Sequence, residues 1–196
     1  MAETKTTDGT ETPASAPAAG SKPRRRRITR RKAVEAHVRS YFEAVANRDV
    51  DAMVGHWSED GVDELVGIRP LRGRDEIAGF FRELFAAVPD LETTVTRVVA
   101  GEREAAVEWR MTGHFSGGPF QGVDATGRHL EMRGLDLFEV EDGCIVSNTA
   151  YSDGMSFARQ IGLMPPLDSS AEQAMKSAFN AATRVRRAVA DWRSAR

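Results

Sequence analysis

Apolar residues recur at helical spacing in the first half of the chain and at strand spacing in much of the second. Val34, Val38, Tyr41, Phe42 and Val45 follow the three-and-four rhythm of one helix face. Asn47-Arg48-Asp49 interrupts it, and Val50, Met53, Val54 and Trp57 predict a second, short helix. Ser58 to Gly61 reads as a turn. From Val62 to Val66 the pattern alternates, which predicts a strand with Val62, Glu64 and Val66 on one face. Pro70-Leu71-Arg72-Gly73 predicts a turn. Asp75 is a candidate cap for a third helix carrying Ile77, Phe80, Phe81, Leu84, Phe85 and Val88, ended by Pro89-Asp90. Four β-rich runs follow, over 91–100, 105–115, 128–140 and 144–152, and Asp142-Gly143 between the last two suits a tight hairpin. Helices first and a curved, mostly antiparallel sheet afterwards predict an α+β fold.

The chain continues past the sheet. Residues 155–161 predict a short helix ending at Gly162, and Pro165-Pro166 is a spacer. Ser170-Ala171-Glu172-Gln173 fits a capping box for a long last helix. Its stripe is Ala171, Met175, Ala178, Phe179, Ala182, Val185, Val189 and Trp192. That stripe needs an apolar partner, and its own domain and a second subunit are both open.

Charge sharpens the division. Net charge is -2 over 196 residues, but residues 1–32 hold nine Lys/Arg against Glu3, Asp8 and Glu11, which leaves the remainder acidic. The expected organisation is a basic disordered tail over 1–29, a domain over 30–163 and a helical extension over 164–196. An acidic folded part excludes a nucleic-acid-binding domain, so contact with nucleic acid or anionic lipid falls to Arg24-Arg25-Arg26-Arg27 alone, for which a solubilising tail is the plainer reading. No apolar run reaches the ~20 residues of a membrane span. The basic tail lacks the apolar core of an export signal, and the single Cys144 excludes an internal disulfide, so cytoplasm is the expected location. His37, His56, His114 and His129 show no metal-ligand spacing, and neither a metal nor another cofactor is implied.

One residue stands out chemically. Asp136 lies in Leu135-Asp136-Leu137-Phe138-Glu139-Val140, a strand apolar enough to be buried on both faces. An unpaired carboxylate there would cost several kcal/mol in desolvation. The group therefore stays protonated, finds a partner or faces a cavity, and each outcome bears on chemistry.

Three helices and then strands ending in Asp142-Gly143-Cys144-Ile145-Val146 resemble the nuclear transport factor 2-like superfamily over about residues 33–163. The resemblance implies a cone: a bent sheet around a pocket, closed by helices. Within it, Tyr41-x-x-Ala44-x-x-x-x-Asp49 is similar to the first helix of ketosteroid isomerase, which carries an oxyanion-donating tyrosine. Val62-Asp63-Glu64-Leu65-Val66-Gly67-x-x-Pro70-x-x-Gly73 resembles the segment holding that family's general base, with Glu64 at the base. Asp136 falls on its protonated aspartic acid. Cys144-Ile145-Val146 through Arg159-Gln160-Ile161-Gly162 resembles the last strand and closing helix of the SnoaL-like polyketide cyclases. Those use an aspartate in that strand where this chain has Ala150, with Asp153 three residues on.

The resemblance implies Glu64 as base, Tyr41 and Asp136 as hydrogen-bond donors to a developing oxyanion, and no cofactor, which is the arrangement of ketosteroid isomerase itself. If the strand slips by one residue, Glu64 and its neighbour Asp63 exchange roles. Candidate substrate-contacting residues are Trp57, Val62, Val66, Trp109, Met111, Phe138 and Asn148. The expected activity is acid/base proton transfer on a hydrophobic carbonyl compound, as an isomerase or a cyclase, in a homodimer. The rivals are a non-catalytic small-molecule-binding or assembly module, and an epoxide hydrolase needing an Asp-Arg-Asp set, for which Arg110 is the candidate arginine but Thr112 and Ala150 stand where acids are required.

Overall fold

The structure, a computed structural model, describes residues 22–194. Helix α1 (Lys22–Ala46) is followed by α2 (Val50–Gly55), strands β1 (Trp57–Leu65) and β2 (Arg69–Arg72), and α3 (Gly73–Ala87). Strands β3 (Glu92–Ala100), β4 (Glu104–Phe115), β5 (Arg128–Glu141) and β6 (Cys144–Ser152) come next, then α4 (Gly154–Gln160) and α5 (Ser170–Ser194). The six strands form one sheet in the order β2-β1-β6-β5-β4-β3, antiparallel except for the β1–β6 pair. Together with its helices, this curved, unclosed sheet makes the expected α+β cone.

The first half departs from the periodicity reading in instructive ways. Trp57 opens β1 rather than closing α2, and β1 takes in the expected turn at Ser58–Gly61, with a register break against β6 between Trp57 and Val62. Trp57 and Asp63, six residues apart, both reach the interior from one strand, as its period of two requires. Arg69–Arg72 pairs with β1 as a strand instead of turning. Asp75 does not cap α3; Glu76 accepts the Arg72 N–H at 2.9 Å from within the first turn. Helix α1 begins at Lys22, ahead of the expected start near Arg30, because arginines favour helix and a proline is tolerated in the first turn. Of the tail expected to be disordered over residues 1–29, residues 22–29 lie in α1 and residues 1–21 lie outside the described residues.

The core fills the concave side of the sheet. From α1 come Val34, Val38, Tyr41, Phe42 and Val45, and from α3 Ile77, Phe80 and Phe81, all buried against Val107, Phe115, Phe138 and Ile145 of the sheet. The β5 strand is not buried on both faces: Leu135 and Leu137 are 39% and 43% exposed on the convex side. Single apolar side chains are common on protein surfaces, so an apolar run by itself does not report burial on both faces. The hairpin at Asp142-Gly143 is as expected, with φ of 47° and 81°.

Helix α5 is capped one residue earlier than the motif suggested. The Ser169 hydroxyl accepts the Glu172 N–H at 3.1 Å, and the Glu172 carboxylate accepts the Asp168 N–H at 2.8 Å. Glu172 also binds Arg159 of α4 at 2.7 Å and Lys176 at 3.1 Å. Among the described residues of α5 it is the only one that is buried.

Candidate active site

Three adjacent strands aim polar side chains at the interior. In the β1–β6 register Asp63 lies beside Asn148, and in the β5–β6 register Asp136 lies beside Ala150, two residues further along β6. The period of two therefore puts Asp63, Asn148 and Asp136 on one concave patch. Asn148 donates its amide N–H to Asp63 Oδ1 at 2.9 Å. The Trp109 indole N–H donates to Asp136 Oδ1 at 2.9 Å.

A glycine makes the second contact feasible. Trp109 pairs across the ladder with Gly134, and a Cβ on Gly134 would stand 2.2 Å from the indole ring. Without that carbon the ring lies over the glycine and reaches Asp136, two residues along the same face.

Asp63 and Asp136 face a cavity of about 560 Å³, a volume within the usual range for small-molecule sites. Its walls include Phe42, Leu65, Phe80, Phe81, Met111 and Leu130. Exposed Ile68, Gln121 and Leu163 also line it and mark its mouth. Tyr41 reaches the cavity from α1, with its ring held edge-on by Phe42, Trp57 and Phe138 at centroid distances of 5.5, 6.1 and 5.6 Å.

The electrostatics follow from burial. Asp63 is pushed up to about 8, first by loss of water, then by the negative charge of Asp136, with the Asn148 hydrogen bond and Glu64 as smaller influences. Asp136 is pushed up to about 7 by burial, against the hydrogen bonds from Trp109 and Asn148 that favour its ionised form. Tyr41 is raised well above its usual value by burial and then by the charges of the two aspartates, so it stays a phenol and a donor. Two acids in one water-poor site resist ionising together, which favours one carboxylate and one carboxylic acid near neutral pH.

The candidate residues divide. Tyr41, Asp136, Trp109 and Met111 line the cavity. Glu64 does not: it is exposed, and the neighbouring Asp63 takes the inward place. The cause is the face assignment of β1, since Asp63 and Leu65 point inward while Glu64 and Val66 point out and Val62 is not among the cavity-lining residues. Val66 is likewise absent from the cavity wall. Trp57 and Phe138 are buried behind it, backing Tyr41, and Asn148 is buried with its amide on Asp63. Ala150 lines the cavity, whereas Asp153 caps α4 by accepting the Ser156 N–H at 2.9 Å. Arg110 pairs with Glu131 at 2.9 Å, and among the described residues no arginine lines the cavity, which leaves the epoxide-hydrolase set without its cation. Among the described residues no group of His, Cys, Asp and Glu is arranged to hold a metal, and no helix is long and apolar enough to cross a membrane.

Residues 35–161 match the family model of the SnoaL-like polyketide cyclases. A candidate SnoaL-like polyketide cyclase from Jannaschia sp. CCS1 superposes with a TM-score of 0.63 at 22% identity, covering 69% of this chain and 95% of its own. AclR, a candidate hydroxylase from Streptomyces galilaeus, gives 0.63 at 19% identity over 80% of this chain and 98% of its own. IdmH, a candidate polyketide cyclase from Streptomyces antibioticus, gives 0.57 at 28% identity over 65% and 97%. No curated protein sequence matches the chain.

Proposed function

Because this chain belongs to the SnoaL-like polyketide cyclase family, we propose that it catalyses proton transfer on a small hydrophobic carbonyl compound without a cofactor, as an isomerisation or an intramolecular aldol-type ring closure. The observation that carries this reading is the pair of buried acids, Asp63 and Asp136, facing one cavity beside the Tyr41 phenol. A carboxylate takes the proton from the carbon next to the carbonyl, and the electron pair moves onto the carbonyl oxygen. A phenol and a carboxylic acid stabilise that oxygen without reorganising.

The shared proton decides the roles. Burial raises both acids toward neutrality, so the pair shares one proton before substrate binds. A carbonyl oxygen docked between Tyr41 and Asp136 gathers negative charge as the C–H bond breaks and holds the proton on Asp136. Asp63 is then the base, in the place first expected for Glu64, and returns the proton to a different carbon in an isomerisation. In a cyclisation the carbanion instead attacks a second carbonyl of the same molecule, and the proton on Asp63 goes to the alkoxide so formed. Trp109 and Asn148 hold the two acids in register. The exposed apolar residues of the convex sheet face, Val99, Leu135, Leu137 and Tyr151, support a homodimer.

The test is turnover of an enone or a linear poly-β-ketone by Asp63→Asn, Asp136→Asn and Glu64→Gln. General acid/base groups contribute about 10²–10⁴-fold, so each aspartate variant should lose at least a hundredfold while Glu64→Gln stays within about threefold. Unchanged turnover in both aspartate variants would leave a binding module as the better reading.

A further inference from the structure

Helix α5 leaves the domain with its apolar side uncovered. It is fastened at its start, where Glu172 joins Arg159, Lys176 and the Asp168 N–H. Beyond that anchor Met175, Phe179, Val185 and Val189 are 40%, 67%, 64% and 44% exposed. The helix is 25 residues long, and an apolar stripe of that length in water invites a partner.

The spacing of the stripe says what kind of partner. Ala171, Met175, Ala178, Ala182, Val185, Val189 and Trp192 are separated by four, three, four, three, four and three residues. With Phe179 set on its flank, this is a 3.5-residue period, the seam of a two-helix coiled coil. One flank of the seam carries only small residues, Ala174, Ala181 and Ala188, which allow close approach. The other flank carries Glu172, Phe179, Arg186 and Arg193.

We propose that α5 pairs with α5 of a second copy of this chain, antiparallel about a two-fold axis. Reversal makes the sequence complementary to itself. Seam positions Ala182 and Val185 face each other across the axis, and Ala178 faces Val189, so four successive central layers each combine a small and a medium side chain. A parallel pair would stack Ala178 on Ala178 and Ala182 on Ala182 between bulkier Met175 and Val185 layers, and the helix separation would have to change within one turn. On the charged flank the same antiparallel register brings Arg186 to the Phe179 ring, a cation–π contact. In a parallel pair that flank would meet only the alanine side. The closed two-fold arrangement uses the same surface on both copies. It is independent of the catalytic reading and adds one association step to any contact made by the sheet.

Cross-linking in the full-length chain tests this. Chains with Ala178→Cys and chains with Val189→Cys, both in a Cys144→Ser background, are oxidised separately and after mixing. Eleven residues of helix separate the two sites by about 16 Å, far beyond the ~7 Å Cα limit for a disulfide, so the direction of pairing is readable. The expected result is a disulfide-linked dimer in the mixture, none from either chain alone, and its loss on adding Val185→Glu. In sedimentation velocity Val185→Glu in the otherwise natural chain should lower the mass of the largest species about twofold. Cross-linked dimers from each chain alone, or no cross-link in the mixture, would overturn the proposal. So would an unchanged sedimentation profile together with binding of the helix to anionic phospholipid vesicles, which would make the stripe a membrane face.

Discussion

Replacing Asp63 by asparagine should stabilise this protein, and by an amount that grows with pH. A carboxyl that titrates at 3.8 in the unfolded chain titrates at about 8 in the fold, chiefly because burial strips it of water. Between those values the folded state holds a proton that the unfolded chain has released. Stability therefore falls as pH rises from about 4 to 8 and is flat below. Each pH unit within that interval costs about 1.4 kcal/mol, so the cumulative cost is on the order of 5 kcal/mol at pH 8 and roughly 1–2 kcal/mol at pH 5. Asparagine mimics the neutral acid, and its carbonyl can still accept from Asn148. Urea unfolding followed by far-ultraviolet circular dichroism at pH 5, 6.5 and 8 measures both proteins. The advantage of Asp63→Asn should widen by several kcal/mol across the series, while turnover is lost. Parallel stability curves for the two proteins would refute the claim that Asp63 is desolvated in the fold.

Other consequences follow from the same site and its supports. Trp109→Phe removes the indole donor from Asp136, so the Asp136 carboxyl should titrate still higher and the alkaline limb of the pH–rate profile, where the required acid loses its proton, should move up; a profile identical to the natural protein would show that the bond is not made in solution. Gly134→Ala puts a carbon into the Trp109 ring and should destabilise the fold by about 1–3 kcal/mol in thermal or urea unfolding, with the Trp109→Phe background relieving part of the loss. Glu172 is held well down, at about 2, by the Asp168 N–H and then by Arg159 and Lys176, so the anchoring of α5 should persist down to about pH 4.5 and be lost as pH falls toward 2, read as rising protease sensitivity of the 164–196 segment.

Local pattern determined much of this protein. The four long strands, the Asp142-Gly143 hairpin, α3 and the two final helices follow from periodicity and turn chemistry, because those signals are local and strong. The oddity of Asp136 was legible for the same reason, since a carboxylate inside a Leu-rich strand conflicts with every cheap environment. Which acid of β1 enters the cavity was not legible. Asp63 and Glu64 are adjacent, both faces of β1 carry valine or leucine, and only its pairing with β2 and β6, after a register break, turns Asp63 inward. The supports of the site were hidden likewise: Trp109, Gly134 and Asp136 meet through the β4–β5 ladder, and Asn148 reaches Asp63 across 85 residues of sequence. Titration belongs to this second class. The same aspartates would ionise near 4 in an open chain, and the enclosing sheet and helices alone move them toward neutrality, because water is what a carboxylate loses when a fold closes around it.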